Sequence, residues 1–261
     1  MRQLLSATLM SNVIVLTVSF GLSLASLSTG AAEISKSRAQ PERFSSYQAA
    51  AEQGDATAQY YLGYLYRTGQ GVEQDYVKAL EWFKKSAEQG DADAQNNIGF
   101  MYFKGLGVRQ DYASGVEWYK KAANQGFADA QFHVGYAYHY GKGSHRDYNA
   151  AMMWYQKSAA QHFLKAENNI GLLYKDGLGV RQDYTQAMQW FEKVASRGMV
   201  QGMMNLGVMY ENGNGVKTDL GQAKEWFGLA CDNGLQVGCQ NYSRLNENKG
   251  RGRVFIGGVE Y

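Results

Sequence analysis

The chain is poor in proline, in cysteine and in charge of one sign. Its only proline, Pro41, lies in a polar segment that reads as a linker, so none is available to stiffen turns further along. Its only two cysteines, Cys231 and Cys239, are too few for a thiolate metal site by themselves. The 26 basic and 24 acidic residues are interleaved, which excludes the basic stripe that releases counterions from nucleic acid. Also missing are the HExxH zinc helix, the Walker phosphate loop, the GxSxG nucleophile elbow and any Ser-x-x-Lys. The sequence therefore assigns no catalytic residue, no cofactor and no metal, and it reads as a non-enzyme.

One long apolar run is present. From Leu4 to Leu27 only Ser, Thr, Gly and Asn interrupt it; Arg2 precedes it, and Thr29, Gly30, Ala31 and Ala32 come directly after. This pattern predicts a secretory signal peptide over residues 1–32, cut near Ala31 or Ala32. The alternative is an uncleaved anchor, which would be the chain's one link to a membrane. No cysteine near the junction and no paired arginines support a lipid anchor or a twin-arginine route. The expected location is the periplasm or the medium.

Beyond that run the chain is periodic. Residues 33–44 read as a linker, and from Tyr47 one pattern recurs every 36 residues, opened by Ala51, Ala87, Ala123, Ala159 and Ala195. The copies are 51–86, 87–122, 123–158, 159–194 and 195–230; Cys231 opens a partial sixth over 231–246, and residues 247–261 form a tail. Residues around 42–50 read as a leftover helix capping the first copy. Within each copy, Ala58, Leu62 and Tyr66 and their equivalents place one buried stripe on a first helix. Gly63, Gly99, Gly135, Gly171 and Gly207 interrupt that helix, which a close helix–helix approach would explain. Asp55 and Asp91 stand at N-cap positions. A paired-glycine loop comes next, and a second helix is capped by Asp75, Asp111, Asp147, Asp183 or Asp219. Each second helix ends its apolar stripe in an aromatic pair, from Trp82-Phe83 to Trp226-Phe227, which reads as core. A period of this length predicts an all-α, right-handed α-solenoid of helix-turn-helix units, 45–246 in all, that acts by binding along its surface.

The string from Ala87 to Ala122, AEQGDADAQNNIGFMYFKGLGVRQDYASGVEWYKKA, resembles the Sel-one-like repeat, a relative of the tetratricopeptide repeat with longer units. The resemblance implies an adaptor or scaffold for protein complexes. One departure is consistent: Glu73, Arg109, His145, Arg181 and Lys217 stand where that family often has proline, so a less rigid approach to each second helix is expected. Cys231 and Cys239 flank a turn at Gly234, where a disulfide is geometrically plausible and two buried thiols are the alternative. Their spacing also resembles the bridged helix pairs of cysteine-rich secreted family members, which suits an oxidising compartment. That branch is associated with penicillin binding, but the Ser-x-x-Lys of penicillin-recognising enzymes is missing here.

Three of four histidines fall in one copy. His133 and His139 are six apart on one helix, off a shared face, and His145 lies beyond the loop, so no metal site is assigned. His139 is expected at the surface. His162 replaces the turn glycine of other copies and predicts local irregularity. Positions i, i+4, i+7 on the first helices give Tyr60, Tyr64 and Arg67, then Phe100 and Phe103 after Asn96, then Phe132, Tyr136 and His139. This aromatic crowding in copies one to three marks the expected partner-binding groove, with Tyr60 and Phe132 most open to a packing role instead. The expected function is a non-catalytic scaffold for a protein or peptide, in envelope complex assembly or signalling. The alternatives are a secreted host-interacting factor and a cell-wall or β-lactam hydrolase.

Overall fold

The computed structural model describes residues 43–247. The expected signal peptide, the linker up to residue 42 and the tail after residue 247 lie outside that range. The described residues form helices and no strand: α1 (43–52), α2 (Ala56–Thr68), α3 (Tyr76–Glu88), α4 (Ala92–Lys104), α5 (Tyr112–Asn124) and α6 (Ala128–Tyr140). The series continues with α7 (Tyr148–Ala159), α8 (Leu164–Asp176), α9 (Tyr184–Ala195), α10 (Val200–Asn212), α11 (Leu220–Asp232) and α12 (Gln236–Asn246). Each helix packs chiefly on its neighbours in sequence, so the chain is an α-solenoid. No helix among the described residues is long and apolar enough to cross a membrane. The leftover helix expected around residues 42–50 is α1, which takes in the last two residues read as linker, and Phe44 sets its ring 5.6 Å from that of Tyr66.

Every second helix starts in the same way. The backbone N–H groups of Lys78, Ser114, Ala150, Gln186 and Gln222 donate to the side chains of Asp75, Asp111, Asp147, Asp183 and Asp219 at 2.9–3.1 Å. Each capping aspartate also donates its own N–H to a first-helix tyrosine carbonyl, from Asp75 to Tyr66 at 2.9 Å through Asp219 to Tyr210 at 2.9 Å. This bond fixes the approach that proline would have fixed, and the cap φ stays between −142° and −147° in all five copies. The five approaches therefore share one geometry without proline. First helices vary more. Asp55 and Asp91 cap α2 and α4, whereas α6, α8, α10 and α12 have Phe127, Phe163, Met199 and Leu235 at that position and exchange the cap for packing.

The mid-helix glycines and the aromatic pairs prove to be two halves of one contact. A Cβ at Gly63, Gly99, Gly135, Gly171 or Gly207 would lie 2.5–2.8 Å from the ring of Phe83, Tyr119, Tyr155, Phe191 or Phe227. Those five rings are fully buried. The tryptophans beside them are not: each is half-buried, and in four copies a lysine three residues on lies over the indole, at 3.7–4.8 Å for Lys85, Lys121, Lys157 and Lys193. The second member of each pair is thus fully in the core, and the tryptophans pack against it from its edge, partly buried.

A polar ladder runs between copies. The Gln89 side chain donates to Gln59 Oε1 at 2.8 Å and to the Gly54 carbonyl at 2.9 Å, and Gln59 donates to the Ala51 carbonyl at 3.1 Å. Gln125 with Gln95, and Gln161 with Gln131, repeat this in the next two copies. In copy four both partners change together. Arg197 donates to Glu167 Oε2 at 2.8 Å and to the His162 carbonyl at 2.8 Å, while Lys193 lies 2.9 Å from Glu167 Oε1. Glu167 is fully buried. His162 adopts φ 62° and closes the same turn as the glycine it replaces, His162 N–H to Ala159 at 2.9 Å against Gly90 N–H to Ala87 at 3.0 Å. The expected irregularity does not occur; the left-handed backbone is kept at a cost of about 1 kcal/mol.

The last described helix pair differs from the others. Cys231 and Cys239 form a disulfide across the turn between α11 and α12, with Cα atoms 4.6 Å apart. Ser243 stands where earlier copies have the contact glycine, so α12 offers no seat for another second helix of this kind.

The ladder predicts a sharp asymmetry. Arg197→Gln leaves a buried carboxylate with Lys193 and the more distant His162 ring, 4.0 Å away, and should cost about 3 kcal/mol. Glu167→Gln combined with Arg197→Gln recreates the Gln pair of the first three copies and should cost under about 1 kcal/mol. Denaturant unfolding of the single and double variants measures both.

Candidate functional site

The first helices α2, α4 and α6 carry the residues singled out from the sequence, and the structure divides them. Tyr64, Phe100 and Tyr136 are half-buried and occupy one column at successive copies. Arg67 reaches between the first two, its guanidinium carbon 5.2 Å from the Tyr64 ring centre and 6.0 Å from that of Phe100. Tyr60 is also half-buried, with its ring 5.8 Å from that of Phe83. Burial raises the pKa of its hydroxyl, and Asp93 adds to the shift.

Phe103, Phe132 and His139 are elsewhere: all three are buried. Phe103 packs on Tyr112 and Tyr119 at 5.0 and 5.3 Å between ring centres. Phe132 lies 5.4 Å from Phe163 and 5.9 Å from Tyr155. His139 stacks on Tyr140 at 4.3 Å, and its Nδ1 is 3.3 Å from the Tyr155 hydroxyl. The expectation of a surface role for His139 is therefore corrected. Its position lies at the end of the first helix, where the tyrosine opening the second helix, Tyr148, covers it, as Tyr112 covers Phe103. Arg67 has the same position but a longer, charged side chain.

Two residues of this face escaped the sequence reading. Tyr140 is 49% exposed and sets its ring 4.5 Å from that of Tyr136. Lys142, from the glycine loop, lies 5.5 Å from the ring centres of both Tyr112 and Tyr136. The signal for Tyr140 was its replacement of Thr68, Lys104, Asp176 and Asn212, the polar residues of the other copies. At the far end of the array the face is sealed. Arg244 occupies the column of Tyr64 and Glu211 that of Arg67, and they pair at 2.7 Å with side chains 9% and 3% exposed.

His133 stacks flat on Tyr119, ring centres 4.6 Å apart, with Nε2 3.6 Å from Asp129. Burial lowers its pKa to about 4, against the opposing pull of Asp129, and burial likewise lowers His139 to about 4. A general base working near neutral pH needs the reverse arrangement, an accessible ring poised close to 7. The geometry instead defines a helical scaffold with one aromatic, cation-bearing face.

Five consecutive Sel1 repeats match the chain over residues 56–91, 92–127, 128–163, 164–199 and 200–235. The chain therefore belongs to the Sel1 repeat family, whose proteins are generally non-catalytic scaffolds that bind other proteins. It is similar to a protective antigen of uropathogenic Escherichia coli strains with an SLR fold, at 38% identity and a TM-score of 0.71 over 80% of this chain. The match spans only 45% of that protein. It is also similar to a Sel1 repeat protein from Oxalobacter formigenes, at 32% identity and a TM-score of 0.77, covering 85% of this chain and 88% of the other. No curated protein matches the chain.

The two buried histidines make stability depend on pH. Both are neutral in the fold with pKa values below the unfolded 6.5, so their contribution is complete above 6.5 and is lost as pH falls toward 4. The loss is on the order of 3 kcal/mol for His139 and has the same sign for His133. His133→Asn with His139→Phe, which installs the residues of Asn97 and Phe103 from copy two, should flatten urea-unfolding stability between pH 6.5 and 4.5 where the parent chain declines.

Proposed function

We propose that this protein is an exported, non-catalytic scaffold that binds a protein or peptide along the first-helix face of copies one to three. The observation that carries the reading is the column of Tyr64, Phe100 and Tyr136, half-buried at 36-residue steps and flanked by Arg67 and Lys142. Aromatic side chains and arginine on a rigid support are the usual anchors of protein interfaces, because they bring large contact area at little entropic cost. In copies four and five the same column holds Leu172 and Val208, and it ends in the closed Glu211–Arg244 pair, so the surface for a partner is concentrated toward the N-terminal copies.

Export is supported by the disulfide and by the apolar run of the first 32 residues, since such a bond persists in oxidising compartments. That a similar Escherichia coli protein is a protective antigen accords with this location. Within it, the assembly of envelope complexes or the restraint of a sensor's outer domain is the role that suits a scaffold without chemistry of its own.

A photo-crosslinking amino acid placed singly at Tyr64, Phe100 or Tyr136 should yield covalent adducts with one partner in the native cell. The same probe at Val77 or Met153, which are exposed on second helices at 55% and 47%, should yield none of that partner. Adducts formed from the second-helix positions alone would place binding on the other face of the array.

A further inference from the structure

Some cations of the array are closed by a carboxylate. Arg197 meets Glu167, Arg244 meets Glu211, Lys120 meets Glu117 and Lys175 meets Asp176, all within 3.0 Å. Arg67 and Lys142 make no ion pair among the described residues, and each lies over rings from two successive copies. Arg67 is only partly exposed, its Nε is buried without a hydrogen-bond acceptor, and its guanidinium is held over rings from two successive copies. A cation in the last turn of a helix is favoured by the helix dipole. That accounts for a charge at this position, but not for a guanidinium stacked on two rings with a desolvated, unused donor.

Lys142 is arranged in the same manner two copies on, over Tyr112 and Tyr136. Acids stand at both ends of the first helices: Asp75, Asp111 and Asp147 donate their N–H groups to the carbonyls of Tyr66, Tyr102 and Tyr138 in the last turns and cap the second helices. Asp93 and Asp129 lie in the first turns of α4 and α6, and Asp129 already accepts from Asn96 at 3.0 Å. The aspartates at the end that carries Arg67 and Lys142 are committed to helix caps, so the two cations stand beside the aromatic column with no ion pair among the described residues.

On the reading that this face binds a peptide, we infer that its occupant is an extended acidic segment, whose side-chain carboxylates take Arg67 and Lys142 and whose intervening side chains rest on Tyr64, Phe100 and Tyr136. Arginine held flat by aromatic rings presents its donors in the fork that a carboxylate accepts. Two steps between stacked first helices cover roughly 20 Å. An extended chain spans that distance in about six residues, so the recognised pattern is a pair of acids about six positions apart with apolar residues between them.

A random twelve-residue peptide library, anchored through its C-terminus so that only side-chain carboxylates are on offer, is sorted against the purified protein. Selected sequences should carry Asp or Glu pairs at that spacing. C-terminally amidated synthetic copies should lose affinity about tenfold when the acid facing Arg67 is changed to Gln, and about as much against Arg67→Gln. Arg67→Glu should turn the selection toward Lys and Arg. Failure to select any peptide, selection of neutral or basic ones, or acidic peptides that bind Arg67→Gln unchanged would each overturn acidic recognition. In the last two cases the face itself is tested separately, since Phe100→Ala with Tyr136→Ala must still weaken binding if a peptide lies there at all. Should Arg67→Gln impair folding, seen as a lowered Tm, the Glu→Gln exchange on the peptide still decides the matter.

Discussion

Everything in this array rests on the contact between a bare mid-helix backbone and a buried aromatic ring. Gly99 and Tyr119 set how closely α4 and α5 approach, and the same pair, with Phe in place of Tyr in three copies, sets it in every full copy. Glycine in a helix interior costs about 1 kcal/mol relative to alanine, so the contact has to return more than that in packing. It does so because a fully buried ring of this size contributes several times as much when its neighbours close around it. Between copies a second glycine does similar work: a Cβ at Gly143 would run into the backbone of Tyr112 in the copy before. Two backbone approaches, one within a copy and one between copies, leave the array little freedom in its spacing. Surface residues are then free to differ.

The differences are not random in their consequences. Where the Gln ladder reaches copy four, an internal amide pair becomes a buried carboxylate with Arg197 and Lys193, and the geometry of the turn is unchanged. Toward the C-terminus the described array carries a disulfide, the Glu211–Arg244 pair and Ser243 in place of glycine. Toward the N-terminus the same column of positions is open, aromatic and cationic. A scaffold of near-identical units acquires polarity in this way, with its two described ends differing in the chemistry of one column of positions.

How much of this could be read in the sequence depended on how local the cause was. Caps, turn glycines and the buried stripe of each first helix come from spacing within a single copy, and they were legible. So were the mid-helix glycines as a sign of close approach and the cysteines as a bridgeable pair across a turn. The fate of Phe103, Phe132 and His139 was not, because it depends on tyrosines that open the following helix and fold back over the position. The ladder was hidden for a similar reason: Gln59 and Gln89 are 30 residues apart and look like ordinary polar residues until the copies are stacked. The left-handed backbone kept by His162 was equally out of reach, since its carbonyl is held by Arg197, 35 residues away.

The claim that glycine–ring contacts fix the spacing of the whole stack can be tested at one site. The stability effect of Gly99→Ala is measured by reversible denaturant unfolding in two backgrounds, the natural chain and Tyr119→Leu. In the natural chain the added methyl has no room beside the ring and should cost about 3 kcal/mol. With the ring removed, the same change should be neutral or should stabilise by up to about 1 kcal/mol through helix propensity. An equal effect in both backgrounds would mean that the glycine and the ring do not set each other's position, and the account of the array would fail with it.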